Sequence, residues 1–253
     1  MSDKKILVTG CCGFIGFDLT KFLLKEGIQV VGVDDINTYY STQLKKDRLK
    51  LLGDFNFYKI DITNQKSFTR VFEEHDFEIV IHLAAQAGVR NSILNPYDYI
   101  QANLVGFANI LENCRNFKVK HLIYASSSSV YGMNSKIPFS EKDRVDQPVS
   151  LYAATKKSNE LMAHSYSHLY GFATTGLRFF TVYGPYGRPD MAYYKFTKAI
   201  FDGESIEVFN DGNMYRDFTY IDDIIYGINS LIYKFNEVES ESVKSIENTS
   251  KLS

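Results

Sequence analysis

The chain has no tryptophan and few of the residues that mark several protein classes. Its 253 residues include three cysteines and five prolines, beside 18 tyrosines and 19 phenylalanines. Cys11, Cys12 and Cys114 lack the paired spacing of a zinc site, and adjacent cysteines are poor joint ligands for one metal ion. We therefore expect no metal centre and three reduced thiols.

The chain also lacks a charge of dominant sign and any long hydrophobic run. It has 28 Lys and Arg against 30 Asp and Glu, a formal net charge of −2, so no overall field recruits nucleic acid or an anionic membrane. No apolar segment has the length of a signal peptide or a membrane span. These absences predict a cytoplasmic protein without nucleic-acid or membrane partners.

Short apolar runs alternate with helical patterns, which is typical of an α/β fold with a doubly wound parallel sheet. The predicted strands are Lys5–Thr9, Gln29–Asp34, Asn56–Ile60, Ile79–Ala84, His121–Ser126 and Ala173–Phe180. The predicted helices are Phe14–Lys25, Asn64–Glu74 with Asn64 as its cap, Pro96–Arg115 and Leu151–Tyr170. Residues 1–180 form the predicted main domain.

The pattern changes after residue 180. A loop rich in Gly and Pro precedes a predicted helix Ala192–Phe201, a strand Ile206–Phe209 and a helix Ile221–Phe235. Residues 181–236 are therefore interpreted as a small second lobe. Residues 237–253 are rich in Glu, Ser and Lys, which predicts a mobile tail.

A glycine triplet lies between the first predicted strand and helix. Gly10, Gly13 and Gly16 would let the backbone approach a pyrophosphate at the positive end of the helix. Asp34 ends the next strand, where a carboxylate can bind adenosine ribose hydroxyls and would repel a 2′-phosphate, so the pattern favours NAD over NADP. Asp35 is an alternative for this role.

Tyr152 and Lys156 are four residues apart, and Ser127 lies 25 residues before the tyrosine in a run of four serines. Residues four apart share one helix face. A phenol that acts as a base at neutral pH needs its pKa lowered by about three units. We expect Lys156 to lower it, together with an oxidised nicotinamide.

These motifs resemble the extended short-chain dehydrogenase/reductases of the NAD-dependent epimerase/dehydratase type. Within that family the resemblance is greatest to epimerases that act on UDP-glucuronate, and it covers Met1 to about Ile232. It is carried by Val8–Gly16, Val33–Asn37, Ile81–Arg90, Asn103–Phe107, Ala125–Gly132, Gly176–Pro185 and Arg216–Asp223.

The resemblance implies a Rossmann fold with NAD as cofactor and roles for named residues. Tyr152 would be the catalytic base, Lys156 its electrostatic helper and Ser127 the hydroxyl that bonds the reacting sugar oxygen, with Ser126 and Ser128 as alternatives. The implied cofactor-binding residues are Gly10, Gly13, Phe14, Ile15, Gly16, Asp34, Asp61, Ile62, Leu83, Ala84, Ala85, Asn103, Tyr152, Lys156 and Phe179. For Asp61 and Ile62 a helix-entry turn is the alternative, and for Phe179 a place in the core.

The implied substrate is a UDP-sugar. Its carboxylate would be bound by Thr181, Ser127 and Ser128, with Arg188 as a further candidate, and its diphosphate by Arg90 and Arg216. The implied reaction is 4-epimerisation of UDP-glucuronate to UDP-galacturonate through a 4-keto intermediate. For Arg216 the alternative is a surface ion pair with an aspartate.

Other readings stay open. Neutral UDP-hexoses are alternative substrates, decarboxylation of UDP-glucuronate is an alternative reaction, and NAD binding without catalysis is an alternative function. Ser128 and Ser129 stand where related dehydratases carry an Asp-Glu pair for water elimination. Relatives continue beyond the matched region, so we expect an incomplete substrate lobe, and they pair as homodimers through helices that match Pro96–Arg115 and Leu151–Tyr170.

Overall fold

The computed structural model describes residues 5–208 and 210–250, and its centre is a six-stranded parallel sheet. The strands are β1 (Lys5–Thr9), β2 (Gln29–Asp34), β3 (Asn56–Lys59), β4 (Phe77–His82), β5 (His121–Ala125) and β6 (Ala173–Leu177). Their order is β3-β2-β1-β4-β5-β6, which is the doubly wound order of dinucleotide-binding folds. The predicted fold class is confirmed.

Helices cover both faces of this sheet. They are α1 (Phe14–Lys25), α2 (Thr42–Leu52), α3 (Gln65–Glu74), α4 (Val89–Leu94), α5 (Pro96–Ile100), α6 (Gly106–Asn116) and α7 (Leu151–Tyr170). One core cluster joins the sheet to α3 and α6 through Phe68, Phe107 and Ile110. Burying each such side chain contributes about 1.5–3 kcal/mol.

The region after β6 contains a second, two-stranded sheet. The strands β7 (Thr181–Tyr183) and β8 (Phe218–Tyr220) pair in parallel. The helix α8 (Ala192–Asp202) has no buried side chain. The helix α9 (Ile221–Ser250) packs Ile221, Ile225 and Ile228 into the second core cluster, against α1 and the other face of the main sheet.

The strongly patterned elements have the predicted bounds. The strands β1 and β2 and the helices α1 and α7 match at both ends, and Asn64 caps α3 by accepting a hydrogen bond from the Ser67 amide at 3.1 Å. The predicted helix Pro96–Arg115 is instead α5, a π-helical segment Gln101–Val105 and α6. π-helical segments are often found at functional positions.

Three predicted secondary-structure elements near or after residue 180 need correction. The strand Ala173–Phe180 ends at Leu177, because the chain turns there to start β7 in another sheet. Residues 206–208 form no strand, since β7 and β8 pair with each other and no third strand joins them among the described residues; Phe209 lies outside that range. The helix α9 continues past residue 236, because residues 228–250 hold no Gly or Pro to stop it. A mobile tail over 237–253 stays a prediction, and its last three residues lie outside the described range.

Two histidines lie inside the sheet. His82 at the end of β4 bonds the Thr9 hydroxyl at 2.8 Å, and burial lowers its pKa to about 3. His121 in β5 bonds the Thr175 hydroxyl at 2.8 Å, and burial lowers its pKa to about 4. Both imidazoles are therefore neutral core groups at physiological pH.

Within the described residues, no helix combines the length and the apolar character needed to cross a bilayer. The three cysteines are free and buried.

Candidate active site

The glycine triplet forms a tight turn at the carboxyl end of β1. Gly10 has φ +74°, and a Cβ atom there would lie 2.6 Å from the Ala84 amide nitrogen. A Cβ atom on Gly16 would lie 2.0 Å from the Gly10 carbonyl oxygen. Gly13 precedes α1 without a side chain to cap it. The amide groups of the first helical turn can therefore bind an anion.

The carboxylate of Asp34 lies against this turn. It accepts hydrogen bonds from the Cys12 amide at 3.0 Å and the Ile36 amide at 2.8 Å, and burial raises its pKa above the ordinary value. Asp35 instead accepts from the backbone and side-chain amides of Asn37. Of the two candidates that the sequence left open, Asp34 is the one that contacts the glycine turn.

The pair Asp61 and Ile62 belongs to the turn that enters α3. Asp61 is exposed and accepts a hydrogen bond from the Thr63 amide at 2.8 Å. Ile62 is buried, and its carbonyl accepts from Asn109 at 2.9 Å. Its side chain lies where a Cβ atom on Gly106 would approach within 2.7 Å. These contacts fit the helix-entry alternative, and a contact with adenine stays a prediction.

The segment after β4 forms the opposite wall of the glycine turn. Leu83 donates its amide to the Thr9 carbonyl at 3.1 Å, and the Ala84 amide approaches the Thr9 hydroxyl at 3.4 Å. Ala85 continues this segment and is half-buried. The wall and the turn are thus held at a separation that only glycine at position 10 permits.

Asn103 ties this wall to α7. It lies in the π-helical segment, is buried, and exchanges two hydrogen bonds with the Gln86 backbone at 2.8 and 3.0 Å. It also donates to the Thr155 hydroxyl at 3.0 Å. Its own carbonyl accepts from Asn159 at 2.6 Å. These bonds set the position of the helix that carries Tyr152.

The serines that follow β5 have different hydrogen-bond partners. Ser126 is buried and donates to Glu160 at 2.7 Å. The Ser127 hydroxyl accepts from the Ser129 hydroxyl at 2.8 Å and also hydrogen-bonds the Tyr152 phenol. Ser128 starts a 3-10 turn and donates its amide to the Phe179 carbonyl at 2.9 Å. Ser127 is therefore the serine that faces the tyrosine.

The electrostatics of Tyr152 differ from the sequence-based expectation. Burial raises its pKa, while the Ser127 hydrogen bond and the charge of Arg188 lower it. The Lys156 ammonium donates to the Ala125 carbonyl at 2.8 Å. Burial lowers the pKa of Lys156 to about 8.

Arg188 is held beside the tyrosine by residues that the sequence analysis did not single out. Its Nε atom donates to Asp190 Oδ1 at 3.0 Å, and Nη2 donates to Oδ2 of the same carboxylate. Tyr39 donates its hydroxyl to Asp190 at 3.2 Å. The Tyr99 ring contacts the Tyr152 ring edge-on at 6.1 Å between centroids. The spacing of Arg188 and Asp190 in one loop could have predicted their ion pair, but no sequence signal places that pair beside Tyr152.

The remaining substrate candidates are less closely associated with Tyr152. Thr181 begins β7 and donates its amide to the Asp217 carbonyl at 3.3 Å. Arg216 is exposed and donates to the carbonyl of neighbouring Tyr215 rather than to a carboxylate. Arg90 is exposed on α4. Diphosphate contacts by these two arginines stay predictions.

The glycine turn, the Ser-Tyr-Lys group and the sheet order agree with the family comparison. The model of the NAD dependent epimerase/dehydratase family matches residues 6–244. The chain belongs to this family. NAD is its cofactor, and it is an enzyme of the nucleotide-sugar epimerase type.

Similar proteins and similar solved structures align with most of the length of this epimerase. Protein CapI of Staphylococcus aureus is 61% identical over 91% of this chain and 70% of its own. A probable UDP-glucuronate 4-epimerase of Rhizobium meliloti is 52% identical over 88% of this chain and 67% of its own. The crystal structure of the Bacillus cereus UDP-glucuronic acid 4-epimerase with UDP-glucuronic acid and NAD is 37% identical, with a TM-score of 0.84 over 90% of this chain and 73% of that one.

The residues of the epimerase fit the cofactor. At Gly10 and Gly16 a Cβ atom would meet the protein's own backbone, so these glycines let the turn close tightly. The uncapped first turn of α1 then offers amide donors to a pyrophosphate. Asp34 lies at the end of β2, the position from which a carboxylate binds ribose hydroxyls in dinucleotide-binding folds, and this contact stays a prediction.

Proposed function

We propose that this epimerase catalyses the NAD-dependent 4-epimerisation of a UDP-sugar, and that the sugar is UDP-glucuronate, converted to UDP-galacturonate. The observation that carries this proposal is the Arg188 guanidinium, which is close enough to Tyr152 to lower the pKa of its phenol. A cation beside the reacting hydroxyl suits a sugar that bears a carboxylate, because guanidinium and carboxylate match in geometry. The Rhizobium and Bacillus relatives carry the same activity in their names.

The chain's own residues provide the proton transfer at the sugar's 4-oxygen. Tyr152 accepts the proton of the 4-hydroxyl as the ketone forms and returns it when the alcohol of opposite configuration is made. Ser127 bonds the same oxygen and holds the phenol in place. NAD supplies the electron-pair acceptor and donor when it is bound. Lys156, whose pKa burial lowers to about 8, provides a cation at the end of β5.

The serine pair after Ser127 favours epimerisation over water elimination. Ser128 and Ser129 stand where related dehydratases carry their acid and base. Ser129 uses its hydroxyl to bond Ser127 at 2.8 Å. A serine hydroxyl does not ionise near neutral pH, so neither residue can serve as a proton acceptor at the sugar's C5.

A 4-keto uronate loses carbon dioxide readily, so the enzyme has to restrain the carboxylate. In this proposal Arg188 provides the charge, while Thr181 and Ser128 provide small hydroxyl donors. Asp190 binds the Nε and Nη2 atoms of Arg188, which leaves the Nη1 side of the guanidinium for a substrate oxygen. A guanidinium with one side fixed by the protein loses little freedom when it binds the substrate.

The test is incubation of the purified chain with UDP-glucuronate and separation of the products by anion exchange and NMR. We expect UDP-galacturonate without carbon dioxide release in the wild type, and no product from Tyr152→Phe. UDP-glucose is the neutral comparison. Epimerisation of UDP-glucose alone would assign the enzyme to neutral hexoses, and release of carbon dioxide with a UDP-pentose would assign it to decarboxylation.

A second candidate, NAD binding without turnover, is favoured by the exposure of α8, which buries no side chain. The chain spans 70% of the CapI relative, and residues 181–236 are proposed as the substrate lobe. Calorimetric titration with NAD and with UDP separates the candidates. Binding of NAD without measurable UDP binding would support the second one.

We also propose a homodimer. Leu94, Tyr97, Leu161 and Leu169 expose 78%, 79%, 57% and 66% of their surfaces on the region from α4 to α7. Where such groups form one contiguous patch, they are typical of an interaction surface. Light scattering should give twice the mass of 29.0 kDa, and a monomer mass at all concentrations would contradict the proposal.

A further inference from the structure

Arg48 of α2 is completely buried, although its helix faces the protein surface on one side. Its Nη1 atom donates to the Cys12 carbonyl at 2.9 Å and to the Tyr40 hydroxyl at 2.7 Å. Its Nη2 atom donates to the Tyr186 carbonyl at 2.6 Å and approaches the Gly187 carbonyl at 3.5 Å. All four acceptors are neutral oxygens.

These acceptors belong to two segments that are far apart in sequence. Cys12 lies inside the glycine turn, between Gly10 and Gly13. Tyr186 and Gly187 immediately precede Arg188. A guanidinium has five donors in a rigid plane, so it can fix the separation of two backbone segments in a way that a flexible ammonium cannot.

The loop before Arg188 needs such support. Tyr186 has φ +56°, a left-handed conformation that is unfavourable for a side chain of this size. Its ring also contacts Phe17 of α1 edge-on at 5.5 Å. Strained loop conformations persist when surrounding contacts determine them, and here the contacts come from Arg48 and α1.

We infer that Arg48 is a positioning residue that joins the cofactor-binding turn to the loop carrying Arg188. Through this link, the geometry of the glycine turn sets where Arg188 stands relative to Tyr152 and the sugar carboxylate. The substrate part of this inference rests on the proposed function. Arg48 itself touches neither the reacting atoms nor Tyr152.

The first experiment measures the loop directly, without substrate. Hydrogen exchange of the amides of residues 184–190 is compared in the wild type, Arg48→Met, Arg48→Lys and Lys46→Met. Lys46 is an exposed cation of the same helix and is the matched control. We expect exchange to become about tenfold faster in both Arg48 variants and to stay unchanged in the control. Unchanged exchange in the Arg48 variants would overturn the inference.

The second experiment separates carboxylate binding from nucleotide binding. In Arg48→Lys we expect the Kd for UDP-glucuronate to rise about tenfold, while the Kd for UDP changes by less than about twofold. The share of product formed by decarboxylation should rise as well. Equal losses for UDP and UDP-glucuronate would indicate a general structural role and overturn the inference.

A double-mutant cycle with Arg188→Met then tests whether Arg48 acts through Arg188. In that background, Arg48→Lys should change UDP-glucuronate binding by less than about twofold, since the group it positions is gone. If the two substitutions raise the Kd for UDP-glucuronate independently, so that their fold-changes multiply, the inference is overturned. If the wild type turns over no uronate, the proposed function fails, and the exchange experiment alone decides the role of Arg48. If Arg48→Met does not fold, the exchange and binding measurements are made on Arg48→Lys alone.

Discussion

Ser126 and Ser127 are adjacent, yet their contacts predict opposite consequences for substitution by alanine. The Ser126 hydroxyl donates to Glu160 at 2.7 Å, inside a network in which Arg178 also donates to both oxygens of Glu160 at 2.9 Å. The Ser127 hydroxyl hydrogen-bonds the Tyr152 phenol. Ser126→Ala should therefore reduce stability, and Ser127→Ala should reduce the rate.

The magnitude follows from the charge and burial of the partners. A hydrogen bond to a charged, partly buried carboxylate contributes about 1.5–3 kcal/mol, and about 1 kcal/mol corresponds to roughly 2–4 °C in Tm for a domain of this size. Ser126→Ala should lower Tm by about 3–12 °C. Ser127→Ala should lower kcat about 10²–10³-fold, as loss of one donor at a reacting oxygen does, with little change in Tm.

The assay combines calorimetric melting with epimerisation rates well below Tm. Two results would refute the reasoning. One is loss of turnover in Ser126→Ala at a temperature where it is folded. The other is a lower Tm in Ser127→Ala with unchanged turnover. Either would mean that the serine facing the tyrosine is misassigned by one residue.

Three further predictions concern other parts of the molecule. Gly16→Ala should abolish NAD binding in calorimetry, because the new Cβ atom would meet the Gly10 carbonyl oxygen at 2.0 Å; binding at wild-type affinity would contradict this packing. Glu160→Gln should destabilise the protein by about 1.5–3 kcal/mol in urea unfolding, since it removes the charge that pairs with Arg178 at a partly buried site; an unchanged free energy of unfolding would contradict that pairing. Burial raises the pKa of Asp18 to about 6, above its ordinary unfolded value, so the carboxyl contributes stability at low pH that is lost as pH rises through about 6. Asp18→Asn should therefore stabilise the protein by roughly 1–3 kcal/mol at pH 7, and urea unfolding should show this gain vanishing near pH 4; an equal gain at both pH values would exclude titration as its cause.

The sequence could predict the elements whose hydrophobic period is clear. The strand β1 and the helix α1 are bounded by polar residues and glycine, and the capping Ser150 and the terminal Gly171 mark the two ends of α7. The helix α2 was missed because its buried face carries Lys45 and Arg48. Periodicity assigns such cations to solvent, and their backbone acceptors become apparent only in the fold.

The same limit applies to the site. The motif spacing predicted that Tyr152, Lys156 and the serine run belong to one site. Which of the serines faces the tyrosine depends on how the chain leaves β5. The arginine whose charge lowers the pKa of the phenol also depended on tertiary structure, because Arg188 lies in a loop beyond β7. Long-range positions of this kind have no local signal.

The neutral histidines of the sheet bear on how rate profiles against pH are interpreted. The pKa values of His82 and His121 lie at about 3 and about 4, so neither imidazole changes charge between pH 5 and pH 8. An inflection of turnover near pH 6 to 7, which is routinely attributed to histidine, would have to be assigned elsewhere than to these two residues. On the alkaline side, Lys156 with its pKa of about 8 is the group of this site that titrates within the usual assay range.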